Sequence, residues 1–137
     1  MVRINQSKIG ETPFQQLLGL NPRIMESWTL LGKVLEKDGQ LSVELKEQVR
    51  RTLAQRNGCQ YCKAKGKPNP HIVDERVLTA TGFAEVFARL HGEIPDSVFD
   101  VLRDVFSEKE ISELIAFICF TTAQQNVGAV LQLEAEA

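Results

Sequence analysis

Cys59 and Cys62 stand two residues apart in the stretch Asn57-Gly58-Cys59-Gln60-Tyr61-Cys62-Lys63. Two thiols one helical turn apart can close a disulfide once either sulfur is oxidised, which makes them a minimal reversible dithiol centre. A thiol at the start of a helix ionises more easily than a free one, because unpaired N–H groups and the positive end of the helix dipole favour the thiolate, and Cys59 has that placement. The third cysteine, Cys119, lies inside the apolar run Leu114 to Phe120 and reads as an inert buried thiol. A structural zinc needs four ligands, yet only Cys119, His71 and His91 remain as familiar partners for the pair. The sequence therefore predicts neither a metal nor a bound cofactor.

The bulk properties leave those thiols free for chemistry. A chain of 137 residues fits one domain, 1–137, large enough to bury a core without a disulfide staple. The N-terminal stretch MVRINQSKIG lacks an apolar signal core, and Leu114 to Phe120 is far short of the ~18 residues that span a bilayer. The expectation is a cytoplasmic protein with no membrane partner. In that reducing compartment three cysteines argue for a redox role of the close pair over a structural framework. With a net charge of −2 and its basic residues interspersed with acidic ones, the chain offers no clustered positive face for nucleic acid.

Helix punctuation recurs from end to end and alternating strand patterns are absent, so the predicted class is all-α. Thr12-Pro13 opens a short helix ending near Leu20, and Asn21-Pro22 opens a longer one closed by Gly39. On the latter Ile24, Trp28, Leu31 and Leu35 form one apolar stripe, with Lys33, Glu36 and Lys37 largely off it, so Trp28 reads as core. Ser42 caps a third helix carrying Leu45, Val49 and Leu53, with Glu47 between them. A short helix over 59–65 follows and cannot extend far past Gly66, Pro68 and Pro70. Core helices are expected over 74–89, burying Val77, Leu78, Ala84 and Phe87, and over 96–106, burying Val98, Val101, Leu102 and Val105. Ser107 and Glu110 form a capping box that starts a long last helix. The centre of that helix is apolar on every face, which predicts burial in the bundle or against another subunit.

The all-helical pattern, Cys59-Gln60-Tyr61-Cys62 and an acidic residue twelve positions before Cys59, Glu47, together resemble the AhpD-like alkylhydroperoxidase branch of the carboxymuconolactone decarboxylase superfamily. The similarity runs from about residue 21 to 131. It implies an AhpD-like helical bundle that assembles as a trimer or hexamer, with a thiol-based peroxidase or disulfide reductase site near a subunit contact. It also makes Cys62 the sulfur attacked by peroxide, Cys59 the resolving thiol and Glu47 the acidic proton relay. The family motif continues to a His four positions after the second cysteine, where this chain has Gly66. Glu47 would then act directly, through a water, or through Tyr61 or His71. The helix dipole, by contrast, favours Cys59 as the thiolate.

The leading expectation is a thiol oxidoreductase that reduces a hydroperoxide or disulfide, cycles Cys59 and Cys62, and draws electrons from an external dithiol. The catalytic candidates are Cys59, Cys62 and Glu47. A non-enzymatic redox sensor on the same scaffold and a lactone decarboxylase-type lyase are the alternatives, the latter disfavoured by the dithiol and by the scarcity of histidine.

Overall fold

The computed structural model describes residues 1–135, and among them the chain forms seven helices and no strand. Local chemistry sets each boundary. α1 (Pro13–Leu18) starts at a capping box in which the Thr12 hydroxyl accepts from the Gln15 N–H and the Gln15 side chain returns to the Thr12 backbone. α2 (Pro22–Glu36) begins with Pro22, and α3 (Val43–Ala54) is capped by the Ser42 hydroxyl, which accepts from the Leu45 N–H. α4 (Gln60–Lys63) is a single turn. Asp74 caps α5 (Glu75–Leu90), α6 (Asp96–Val105) follows Pro95, and the Ser107–Glu110 capping box opens the 23-residue α7 (Glu108–Val130).

Two apolar clusters organise these elements. The larger joins α3, α5, α6 and α7 through Leu45, Val49 and Leu53, Ala80 and Phe83, Leu102, and Leu114, Phe117 and Ile118. The smaller gathers Phe14 and Leu17 of α1, Ala54, Tyr61 and Leu133 around Cys59 and Cys62. The cysteine turn is thus part of a core, held between the end of α3 and the last third of α7. The loop joining α2 to α3 is stapled by a buried ion pair. Lys46 Nζ meets Glu113 at 3.2 Å and donates to the Lys37 carbonyl, while Glu113 accepts the N–H groups of Gln40 and Leu41.

Several expected core positions lie at the surface instead. Ile24 and Leu31 of α2 are about half exposed, and so are Leu78 and Val101. Trp28 and Leu35 are only partly buried, because α2 lies across one side of α7 with no further layer outside it. Cys119 is exposed, contrary to the buried thiol read from its apolar neighbours. In the run Leu114 to Phe120, residues 114, 117 and 118 point into the core while Ala116 and Cys119 face outward. A helix packed on one side cannot bury every face, so its apolar outer face remains uncovered in the single chain. No helix among the described residues is long and apolar enough to cross a membrane.

Candidate functional site

The cysteine turn is built by its backbone. Gly58 adopts φ 72°, a left-handed conformation that glycine takes at no steric cost, and it redirects the chain so that Cys59 becomes the N-cap of α4. Cys59 Sγ accepts the Cys62 N–H at 3.1 Å. The two sulfurs are joined as a disulfide across a Cα–Cα distance of 5.3 Å. Behind them α7 contributes Gly128, where a Cβ would stand 2.5 Å from Cys59 Sγ, so only glycine admits the sulfur at that point. Asn57 anchors the turn by donating to Gln125 Oε1 at 2.8 Å, and Gln125 donates onward to the Arg50 carbonyl at 3.2 Å.

The two sulfurs differ in access. Cys59 is 0% exposed, whereas Cys62 is 7% exposed and lines a cleft of about 230 Å³ between α1, α2, α4 and α7. Phe14, Trp28 and Tyr61 give this cleft aromatic walls, and Lys33, Glu36, Arg50 and Lys65 supply its charges. Trp28 is fixed there by tilted contacts with Phe14 and Phe120 and by an Nε1–H bond to Gln124 Oε1 at 2.9 Å. Lys65 Nζ sits 4.7 Å from the Tyr61 ring centroid. Of the two cysteines only Cys62 lines this cleft.

Glu47 lies one hollow away. It is held by Arg50 through two contacts, at 2.6 and 2.9 Å, and by Arg51 at 3.0 Å. The Arg50 bonds, with Arg51 beside them, keep its carboxyl below the ordinary range despite partial burial. The link to the dithiol runs through Arg50, whose Nη1 also donates to the Cys62 carbonyl at 3.4 Å. A second hollow, of about 330 Å³, contains Glu47 and shares Glu36, Arg50 and Lys65 with the cysteine cleft.

Gly66 has φ 118°, and a Cβ there would approach the Arg51 guanidinium at 3.8 Å. The single turn of α4 ends before it, so position 66 is not on the cysteine helix. His71 is exposed, donates its backbone N–H to Asn69 Oδ1 and does not line the cysteine cleft. Among the described residues no three His, Cys, Asp or Glu side chains converge as metal ligands would.

Spacing in the sequence does not single out Gln125 or Gly128, and Glu36 reads there only as an acid off the apolar stripe of α2, on which Trp28 reads as core. One signal was available, because Trp28, Gly32 and Glu36 recur every four residues and so share the face of α2 that borders the cleft. Burial raises the Glu36 carboxyl above its ordinary value of 4.5, against the lowering pull of Lys65 and Arg50, and Glu47 adds to the rise. No model of a known protein family matches the chain, and no curated protein matches it.

Proposed function

We propose that the protein is a thiol oxidoreductase that reduces hydroperoxides or disulfides through a Cys59–Cys62 cycle. The observation carrying this reading is the asymmetry of the pair, with one sulfur lining an aromatic-walled cleft and its partner buried behind it within bonding reach. In the reduced protein the Cys62 thiolate attacks the terminal oxygen of a hydroperoxide. The S–O bond forms as the O–O bond breaks, and the alcohol departs with the proton released by the thiol. Cys59 then attacks the Cys62 sulfenic acid, the S–S bond forms, and water leaves. An external dithiol returns two electrons and two protons and is itself oxidised to a disulfide. With a disulfide substrate, attack by Cys62 expels one thiol and leaves a mixed disulfide, and Cys59 then attacks Cys62, forming the S–S bond and expelling the second thiol.

The resemblance to AhpD-like alkylhydroperoxidases supports the same order of events, and the buried position of Cys59 suits a resolving thiol. Glu47 enters as the group that holds Arg50 against the Cys62 carbonyl. The uncovered apolar faces of α2 and α7 suit a homo-oligomer, trimer or hexamer, and a reducing cytoplasm would supply the dithiol. A redox sensor without rapid turnover is the second reading, favoured by the two arginines that tie up Glu47. Consumption of cumene hydroperoxide with dithiothreitol, by wild type and Cys62→Ser, separates them. Catalytic turnover that Cys62→Ser abolishes supports the oxidoreductase, and a single stoichiometric oxidation supports the sensor.

A further inference from the structure

Resting on the dithiol reading above, we propose that Glu36 is the proton-transfer group of this site. As a carboxylate it accepts the proton of the Cys62 thiol. As a carboxylic acid it hands that proton to the oxygen leaving the peroxide, so the cycle closes with no net change at Glu36.

Among the described residues Glu36 is the only carboxylate lining the cleft that Cys62 lines. Gly32, one turn earlier on α2, leaves the space into which the side chain folds, with Oε1 3.9 Å from where a Gly32 Cβ would stand. The same point lies 3.4 Å from the Phe120 ring, so the space left by Gly32 is bordered by both the Glu36 carboxylate and an aromatic ring. Burial there disfavours the charged form and raises the carboxyl above its ordinary value, which favours the acid form that donates a proton. Glu47, on α3, is driven the opposite way by Arg50 and Arg51.

The charged groups around Glu36 come from three elements. Lys33 belongs to its own helix, and Lys65 follows α4. α3 contributes Arg50, Glu47 and Lys46, the last already paired with Glu113. α1 and α7 present only uncharged side chains to the cleft. Lys65 and Arg50 pull the other way and favour the carboxylate form.

The test compares wild type, Glu36→Gln and Glu36→Asp across acid to mildly alkaline pH, with two readouts. The first is steady-state reduction of cumene hydroperoxide with dithiothreitol. Glu36→Gln is expected to lower kcat by roughly 10²-fold or more with little change in KM, and to erase the acid limb of the wild-type profile. Glu36→Asp should keep that limb at an intermediate rate. The second readout is iodoacetamide alkylation of Cys62 in the reduced protein, which needs no peroxide turnover. Removing a neighbouring negative charge should move this profile to lower pH in Glu36→Gln, so the thiol becomes easier to ionise while peroxide reduction slows. A Glu36→Gln protein with both profiles unchanged overturns the assignment. If wild type itself consumes no peroxide or disulfide, the oxidoreductase reading fails, and the alkylation profile alone then decides whether Glu36 is coupled to Cys62.

Discussion

Gly128 of α7 faces Cys59 so closely that a Cβ at position 128 would lie 2.5 Å from the Cys59 sulfur and 3.7 Å from that of Cys62. The buried wall of the dithiol is therefore the backbone of the longest helix. Neither Cys59, at the N-cap of α4, nor α7 can retreat without unpacking the smaller core. Gly128→Ala should cost about 1–3 kcal/mol, the usual penalty of overpacking a filled interior, set against a small gain in helix propensity. Chemical denaturation of the variant measures this cost, and its disulfide should re-form more slowly after reduction.

Glu47→Gln removes the carboxylate that engages both Arg50 and Arg51. Arg50 is then no longer held against the Cys62 carbonyl, and its charge is left uncompensated. The apparent pKa of the reactive thiol should fall, as read by alkylation against pH, while peroxide reduction slows several-fold through loss of Arg50 positioning. The acid limb of the rate profile should persist, in contrast to Glu36→Gln.

Acid stability has a separate source. Arg76 on α5 and the Ser107 backbone hold the Glu110 carboxyl down to about 2, from an ordinary value of 4.5. The folded state binds that proton less tightly than the unfolded chain does. The resulting stability is present above pH 4.5 and is lost as pH falls from there toward about 2. Glu110→Gln retains an oxygen for the capping box but loses the ion pair with Arg76. It should unfold about 0.5–1 kcal/mol more easily at neutral pH, with the difference shrinking to nothing at the acid end. Urea titrations at several pH values check both the size and the slope.

Much of this architecture was legible in the sequence because caps act locally. Thr12, Ser42, Asp74 and Ser107 each bond N–H groups within their own first turn, so their spacing alone marks the helix starts. The Cys59-Cys62 turn was legible for the same reason. Position relative to the core was not, since it depends on how helices distant in sequence lie together. Leu31 and Cys119 have apolar neighbours yet face outward because α2 and α7 are packed on one side only. Glu36 resembles any helix-surface acid until the fold places it on the cleft that Cys62 also lines. Position 66 could be seen to lack histidine, but not to be turned off the cysteine helix by φ 118°.

The outer faces of α2 and α7 make a quaternary prediction. Ile24, Leu31, Phe120 and Ala123 line a shallow apolar groove next to the exposed Cys119, and a second copy of the chain would bury it. Light scattering at micromolar concentration should give a multiple of 15.4 kDa for wild type. Leu31→Glu should shift the mass to that of one chain, because a charge buried at such a contact costs several kcal/mol. Wild type at 15.4 kDa would reject the prediction.

The most direct measurement is peptide mapping of the reduced protein after one equivalent of hydroperoxide, with free thiols blocked by alkylation and the products read by mass spectrometry. The expected products are a Cys59–Cys62 disulfide with Cys119 alkylated, partial burial holding the Cys119 thiol above its ordinary pKa. Cys59→Ser should give a sulfenic acid at Cys62, and Cys62→Ser should show no oxidation. Free thiols at both positions, a bond from either to Cys119, or a sulfenic acid at Cys59 in Cys62→Ser would contradict it.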